Sequence, residues 1–452
     1  MFSTIQACSS SLLFFGLLMS YLLKTPAPVS AFACISSGAA TFDNISAQYL
    51  INGQLSDKVQ VIDCRSSNHY NGWPQNNGSS GGHFPGAVNI DSQWLTDIDQ
   101  KQLQQLLSDK QLQKDKPTFL YCDDNASLSL SIALKKQGFA KVSIITQPLS
   151  QAAEKLIIQP NFKQLVSAQW LRDVINNNKP LYGPKKDYKL IEVHWGPAAK
   201  YLASHIPGAQ YLNTNDIESQ PWWNRVCDQK IAELLKNYGI RYDTTVILYG
   251  RNNMAAARAA NIMMYAGVDD VRLLNGGWQA WLDAGYAPAP LCGSNKKQIE
   301  FGRKIPANPH YIIDVPQARA LLSKDPHLHS LVSIRTFEEY TGKISGYDYI
   351  KPKGRIAGSK WGHAGTNSNN AADFLNPDGT MKSASEIKDL WKSWNINPNQ
   401  KVAFYCGTGW RASEVFFYCH VMGWKDISVF DGGWYEWSAD KNNPTDSGCI
   451  SK

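Results

Sequence analysis

The sequence has no long run of lysine or arginine, and its formal charge of +7 is small for 452 residues. Nucleic-acid binding needs a clustered basic face, so that class of partner is excluded. No apolar run is long enough to cross a bilayer comfortably. The strongest, Ser11 to Leu23, falls short of the ~20 residues a spanning helix needs. Cysteine is sparse as well. The nine cysteines form no C-x-x-C pair and show no zinc-type spacing, so neither a metal site nor a disulfide scaffold is indicated.

Core-forming material, by contrast, is abundant. Hydrophobic residues make up 43% of the chain, and 15 Trp and 20 Tyr are far from the composition of a disordered segment. At ~100–200 residues per domain the length implies two to four domains. The Ser11–Leu23 run leads into Pro26-Ala27-Pro28 and Ala31-Phe32-Ala33. A short apolar core followed by A-x-A reads as a cleavable signal peptide over residues 1–33. The rival reading is an uncleaved anchor, because no Lys or Arg precedes the core and Lys24 follows it. Cleavage after Ala33 removes Lys24, takes the charge from +7 to +6, and leaves a mature chain with no stable membrane insertion.

The chain repeats itself. Val246-Ile247-Leu248-Tyr249-Gly250 is followed 26 residues later by Gly276-Gly277-Trp278, and Val402-Ala403-Phe404-Tyr405-Cys406 by Gly432-Gly433-Trp434 at the same spacing. A weaker third block ends in Tyr121-Cys122 and lacks the Gly-Gly-Trp. Upstream stand His83-Phe84-Pro85-Gly86-Ala87, His205-Ile206-Pro207-Gly208-Ala209 and the divergent Arg355-Ile356-Ala357-Gly358-Ser359. Short apolar runs read as buried strands of a parallel sheet, and the stretch after each anchor reads as a helix. The spacing therefore predicts an α/β fold of three tandem domains, each a mainly parallel sheet flanked by helices, over residues 41–150, 160–288 and 310–440. Linkers fall near Gln147–Gln159 and Ala287–Pro309, and Asn71–Gly82 and Gly342–Gly354 read as loop insertions. Ala412, Val415, Phe416 and Cys419 are expected on one apolar helix face, ended by Gly423.

Only the third repeat carries reactive chemistry at its anchor: Cys406-Gly407-Thr408-Gly409-Trp410-Arg411. A cysteine at a strand end, opening a glycine-rich turn into a helix N-terminus, sits in a nest of backbone N–H groups at the positive end of the helix dipole. Both favour thiolate over thiol. Gly407 and Gly409 let backbone amides approach the sulfur, and Arg411 adds a cation in the first helical turn. The second repeat has Gly250 at the cysteine position and no nucleophile. The first keeps Cys122, but Asp123 and Asp124 beside it raise a thiol pKa and repel an anionic donor, so Cys122 is expected to be silent. Cys64 and Cys419 read as structural. Trp434 reads as packing, and Trp410 as packing or substrate contact. Arg335 either braces the domain or lines the mouth of the site, and His363 is more simply a surface residue than a participant.

The motifs HIPGA and YCGTGWRAS…DGGW resemble those of the rhodanese superfamily, and the resemblance extends over almost the whole mature chain. It implies a sulfurtransferase that carries sulfane sulfur as a persulfide on Cys406, with Gly407, Thr408, Gly409, Trp410 and Arg411 as the substrate-binding loop and Arg335 beside it. It implies a periplasmic location, a small donor such as thiosulfate, a small or protein acceptor, and neither cofactor nor metal. Mercaptopyruvate is the alternative donor. In enzymes that use it, a second arginine stands where this chain has Glu339, and a carboxylate there disfavours a carboxylate substrate. The non-enzyme alternative is a sulfur carrier. A third reading, a phosphatase, needs C-x5-R where this loop has C-x4-R.

Overall fold

The computed structural model describes residues 58–74, 80–122, 126–145, 155–291 and 298–448. The signal-peptide segment, Cys34, Cys292, Cys449, Asp123–Asn125 and most of the first linker lie outside the described residues. The first sheet comprises β1 (Gln60–Asp63), β2 (Val88–Asn89), β3 (Thr118–Tyr121) and β4 (Val142–Ile144), in the order β2-β1-β3-β4. The second comprises β5 (Leu165–Val166), β6 (Tyr188–His194), β7 (Gln210–Asn213), β10 (Thr245–Tyr249) and β11 (Asp270–Leu274), in the order β5-β11-β10-β6-β7. A two-stranded antiparallel pair, β8 (Glu218–Ser219) and β9 (Asn224–Arg225), is inserted after β7. The third sheet comprises β12 (Ile312–Ile313), β13 (His329–Ser333), β15 (Lys360–Trp361), β16 (Lys401–Tyr405) and β17 (Ile427–Phe430), in the order β12-β17-β16-β13-β15. Two short strands, β14 (Arg355–Ile356) and β18 (Thr445–Asp446), pair antiparallel outside it. All ladders within the three main sheets are parallel.

The recurring motifs have a common physical basis. The tyrosine ending each anchor strand uses its hydroxyl to accept the N–H of the second residue of the upstream motif: Tyr121 from Phe84 (3.3 Å), Tyr249 from Ile206 (3.0 Å) and Tyr405 from Ile356 (3.4 Å). A second tyrosine closes the same turn. Tyr70, Tyr201 and Tyr340 donate to the carbonyls of Ala87, Ala209 and Ser359, each at 2.6 Å. His83 and His205 stack on these tyrosines, and the third repeat replaces the stack with Arg355 lying over Tyr340. The Gly-Gly-Trp motif closes back on the anchor, Trp278 N–H to Gly250 O at 3.0 Å and Trp434 N–H to Cys406 O at 2.8 Å. The 26-residue spacing is therefore the length of helix plus strand needed to return to the anchor carbonyl.

The helix after the third anchor, Trp410–Val421, differs from expectation. It is buried all round rather than on one stripe: Arg411 through Cys419 are all buried, Arg411, Ser413 and Glu414 among them. The cause lies in the second domain, whose equivalent helix Asn253–Ala266 is buried from Met254 to Ala266 and packs directly against it within one hydrophobic core. Each helix covers its own sheet with one side and its counterpart with the other. Gly423, with φ +82°, follows the helix end as expected. Among the described residues no helix is long and apolar enough to cross a membrane.

Phe416 lies in this shared core with no exposed surface, its ring edge-on to Tyr311. Phe416→Ala is expected to destabilise the chain by ~3–5 kcal/mol, read from the denaturant midpoint.

Candidate active site

Cys406 follows directly on β16, the central strand of its sheet, and is 1% exposed. The chain then turns through Gly407-Thr408-Gly409 into the helix that starts at Trp410. The Gly409 N–H points back at the sulfur, donating to Cys406 Sγ at 3.1 Å. Gly409 adopts φ +112°, which a side chain would strain. Gly407 is required for a different reason: a Cβ there would stand 2.3–2.6 Å from the ring of Tyr347. Two carbonyls of the turn are held from the opposite side, Cys406 O by Trp434 N–H (2.8 Å) and Gly407 O by Tyr435 N–H (3.1 Å).

Tyr347 and Tyr349 come from the Gly342–Gly354 insertion, which is a loop as expected. Tyr347 accepts a hydrogen bond from Arg411 Nη2 at 3.1 Å, and burial raises its phenol well above the usual range. Burial also raises Tyr349, to about 12, while a hydrogen bond to Thr408 opposes the shift. The rings continue outward as a row: Tyr347 to Tyr349 at 5.4 Å, Tyr349 to Tyr435 at 5.5 Å, and Tyr435 to Trp222 of the second domain at 5.0 Å.

The structure corrects the expected role of Arg411 and separates the two readings of Arg335. Arg411 is 1% exposed and forms a bidentate pair with Glu339, both bonds 2.8 Å, so it offers no free cation to a donor. Glu339 faces this arginine, not a substrate carboxylate. It is fixed by a capping box with Thr336, whose N–H donates to Glu339 Oε2 at 2.9 Å. Burial alone would raise the Glu339 carboxyl, but the hydrogen bonds and charge of Arg411, with Arg335 and the Thr336 N–H, hold it below its usual value. Arg335 does not line the mouth. It has no exposed surface, donates to Gly354 O and Ser333 Oγ, and lies over Trp434 at 4.9 Å. Arg65 makes the same bond to Gly82 O in the first domain, whose anchor Cys122 is held in a disulfide, so the contact is a brace common to both domains.

The remaining candidates separate cleanly. Trp410 is partly buried, and its Nε1–H donates to Glu218 Oε2 of the second domain at 2.8 Å. Trp434 is buried, with Nε1–H on Pro352 O at 3.0 Å, and holds the insertion down. His363 stacks on Trp361 and sits 3.7 Å from Asp373. Cys419 is core, and burial pushes its thiol up. Cys122 is paired with Cys64 as a disulfide between adjacent strand ends, Cα–Cα 4.9 Å. Among the described residues no cluster of His, Cys, Asp and Glu could hold a metal ion.

Sequence reasoning missed Tyr347, Tyr349, Glu218 and Arg258. A signal for the tyrosines existed in the Gly342–Gly354 insertion itself, since long loops beside a repeated frame commonly carry function. Glu218 and Arg258 meet the loop across a domain boundary and leave no local signal.

A family model described as rhodanese-like domain matches residues 46–151, 167–284 and 314–440. The thiosulfate sulfurtransferase YnjE of Escherichia coli (strain K12) is 48% identical over 422 residues, covering 92% of this chain and 94% of that protein. Its crystal structure superposes with a TM-score of 0.84 at 49% identity, over 87% of this chain and 94% of that one. An anaerobic ergothioneine biosynthesis enzyme from Chlorobium limicola, solved with its natural substrate trimethyl histidine, gives 0.83 at 34% identity over 89% and 98%. A structure of EanB with a cysteine persulfide and ergothioneine gives 0.84 at 34% over 90% and 99%.

The Glu339 carboxyl is depressed on folding, so its stabilisation is complete above the unfolded value near 4.5 and is lost as pH falls through the lower folded value. Glu339→Gln strands the buried Arg411 charge and is expected to cost ~3–5 kcal/mol at neutral pH. The same variant should lose less further stability than wild type as pH falls below 4.5, measured by denaturant titration across pH.

Proposed function

This chain belongs to the rhodanese family, and on that premise we propose that it is a sulfurtransferase that moves sulfane sulfur from thiosulfate to a thiophilic acceptor through a persulfide on Cys406. The observation that carries the reading is the Gly409 N–H on Cys406 Sγ, in a turn whose glycines cannot be replaced without a clash or strain. In the first half-reaction the Cys406 thiolate attacks the outer sulfur of thiosulfate; a new S–S bond forms, the old one breaks, and sulfite leaves with the electron pair. In the second, cyanide or a thiolate takes the terminal sulfur and returns Cys406 as thiolate. Backbone N–H groups and the helix N-terminus supply the positive potential for both anions. Arg411 contributes by fixing the turn, through Glu339 and Tyr347.

This geometry disfavours a phosphatase, because the guanidinium such a loop needs for phosphate is already spent on Glu339. We further propose that the chain is secreted to the periplasm, which the Ser11–Leu23 run and Ala31-Phe32-Ala33 support. Sequencing of the periplasmic product should then begin at Cys34.

A second acceptor class is favoured by the ring row from Tyr347 to Trp222, since aromatic faces suit a quaternary ammonium, and by the match to the enzyme solved with trimethyl histidine. There the terminal sulfur would enter an imidazole C–H bond as C–SH, restoring the Cys406 thiol.

The protein should form thiocyanate from thiosulfate and cyanide. Cys406→Ser is expected to abolish this and Cys122→Ser to leave it intact. Mass spectrometry after thiosulfate alone should find one added sulfur on the Cys406 peptide. Activity surviving in Cys406→Ser refutes the assignment. Sulfur loading without turnover to cyanide or small thiols marks a carrier that hands sulfur to a protein. Ergothioneine formed from trimethyl histidine by the loaded protein marks the second acceptor.

A further inference from the structure

The second domain has no nucleophile at its anchor, yet it places a fully buried arginine behind the Cys406 turn. Arg258 lies on the helix Asn253–Ala266 and has no exposed surface. Its guanidinium carbon would be 3.2 Å from a Cβ at Gly409, the residue whose N–H serves the sulfur. One arm, Nε, donates to Glu218 Oε1 at 2.7 Å, and Glu218 Oε2 accepts the Trp410 indole N–H at 2.8 Å. Another arm, Nη2, pairs with Asp431 Oδ1 of the third domain, while Asp431 Oδ2 accepts the Arg225 N–H at 2.9 Å. Asp431 directly precedes Gly432-Gly433-Trp434, the segment that holds the carbonyls of Cys406 and Gly407. A single cation thus ties down both supports of the turn: Trp410 at the helix start and the Gly-Gly-Trp cap on the other side. Its third group, Nη1, is buried without a partner beside Gly409.

We propose that Arg258 is a positioning residue for the Cys406 turn, so that the second domain completes the active site of the third. The proposal rests on the reading of Cys406 as the sulfur carrier. A planar fork is essential to it, because the guanidinium serves Glu218 and Asp431 in different directions and a lysine ammonium cannot reproduce both. Burying three charged groups between domains is costly, and breaking one arm leaves a charge uncompensated. The arrangement therefore holds the turn in one geometry, and loss of that geometry is read at the sulfur.

The test uses the full-length mature chain and follows alkylation of the Cys406 peptide by iodoacetamide across pH, alongside kcat and KM for thiocyanate formation. Arg258→Met is expected to lower kcat on the order of 10- to 100-fold and to move Cys406 alkylation to higher pH. Arg258→Lys should recover only part of the loss. Trp410→Phe removes the indole N–H from Glu218 Oε2 while keeping an aromatic ring and both ion pairs of Arg258, and should shift the alkylation profile less but in the same direction. Wild-type kcat and an unshifted profile in folded Arg258→Met overturn the proposal. So does activity that falls only with the folded fraction while the profile stays unshifted. If Arg258→Met does not fold, an unshifted Trp410→Phe profile overturns it. Failure of the sulfur-carrier reading is separately visible, as a wild-type protein that gains no sulfur on Cys406.

Discussion

The buried pair between Arg411 and Glu339 is the constraint on which the site depends. Two charges taken out of water are tolerated only when each is satisfied by close, well-directed partners. Here the fork is bidentate, the carboxylate is also capped by the Thr336 N–H, and a Tyr347 hydroxyl takes a further guanidinium N–H. The pair joins the first turn of the helix after Cys406 to the short helix Phe337–Thr341 after β13. It brings the Tyr347 insertion over Gly407. The cation nearest the nucleophile in sequence thus belongs to the framework, and the sulfur takes its direct hydrogen bond from a peptide N–H, that of Gly409.

Much of this was legible in the chain. Apolar runs of four or five residues place the anchor strands, because a strand covered on both faces must be apolar throughout. The repeated tyrosine, Gly-Ala turn and Gly-Gly-Trp register one hydrogen-bond circuit, so spacing alone exposes the repeats. Cys406 with its glycines is likewise visible, since backbone constraints leave a local mark. Ion-pair partners leave none. Glu339 and Arg411 are 72 residues apart, Trp410 and Glu218 are 192 apart, and nothing in either neighbourhood announces the other. The all-round burial of the Trp410–Val421 helix was missed for the same reason, because its second covering surface comes from another domain.

The three domains have diverged at one point in a shared frame. In the first, the anchor cysteine is bonded to Cys64, which takes the place of Ile334 in the third. Cys122 therefore presents no free thiol, while Asp123 and Asp124, expected to silence it, lie outside the described residues. In the second domain the anchor is Gly250, and the helix behind it has instead acquired Arg258, directed at its neighbour. Each domain without a free thiol at its anchor keeps its tyrosine circuit, since that circuit holds the fold.

The cap on the turn has one more consequence. A trans peptide unit is rigid and two-ended: its carbonyl and its N–H point in opposite directions. By engaging the oxygens of Cys406 and Gly407, the backbone of Trp434 and Tyr435 also dictates where the following two hydrogens face, on the side turned away from the cap. The Gly-Gly-Trp sequence thus works as a stop against peptide flipping. It orients donors it never touches, and does so with main-chain N–H groups that, among substitutions, only proline removes.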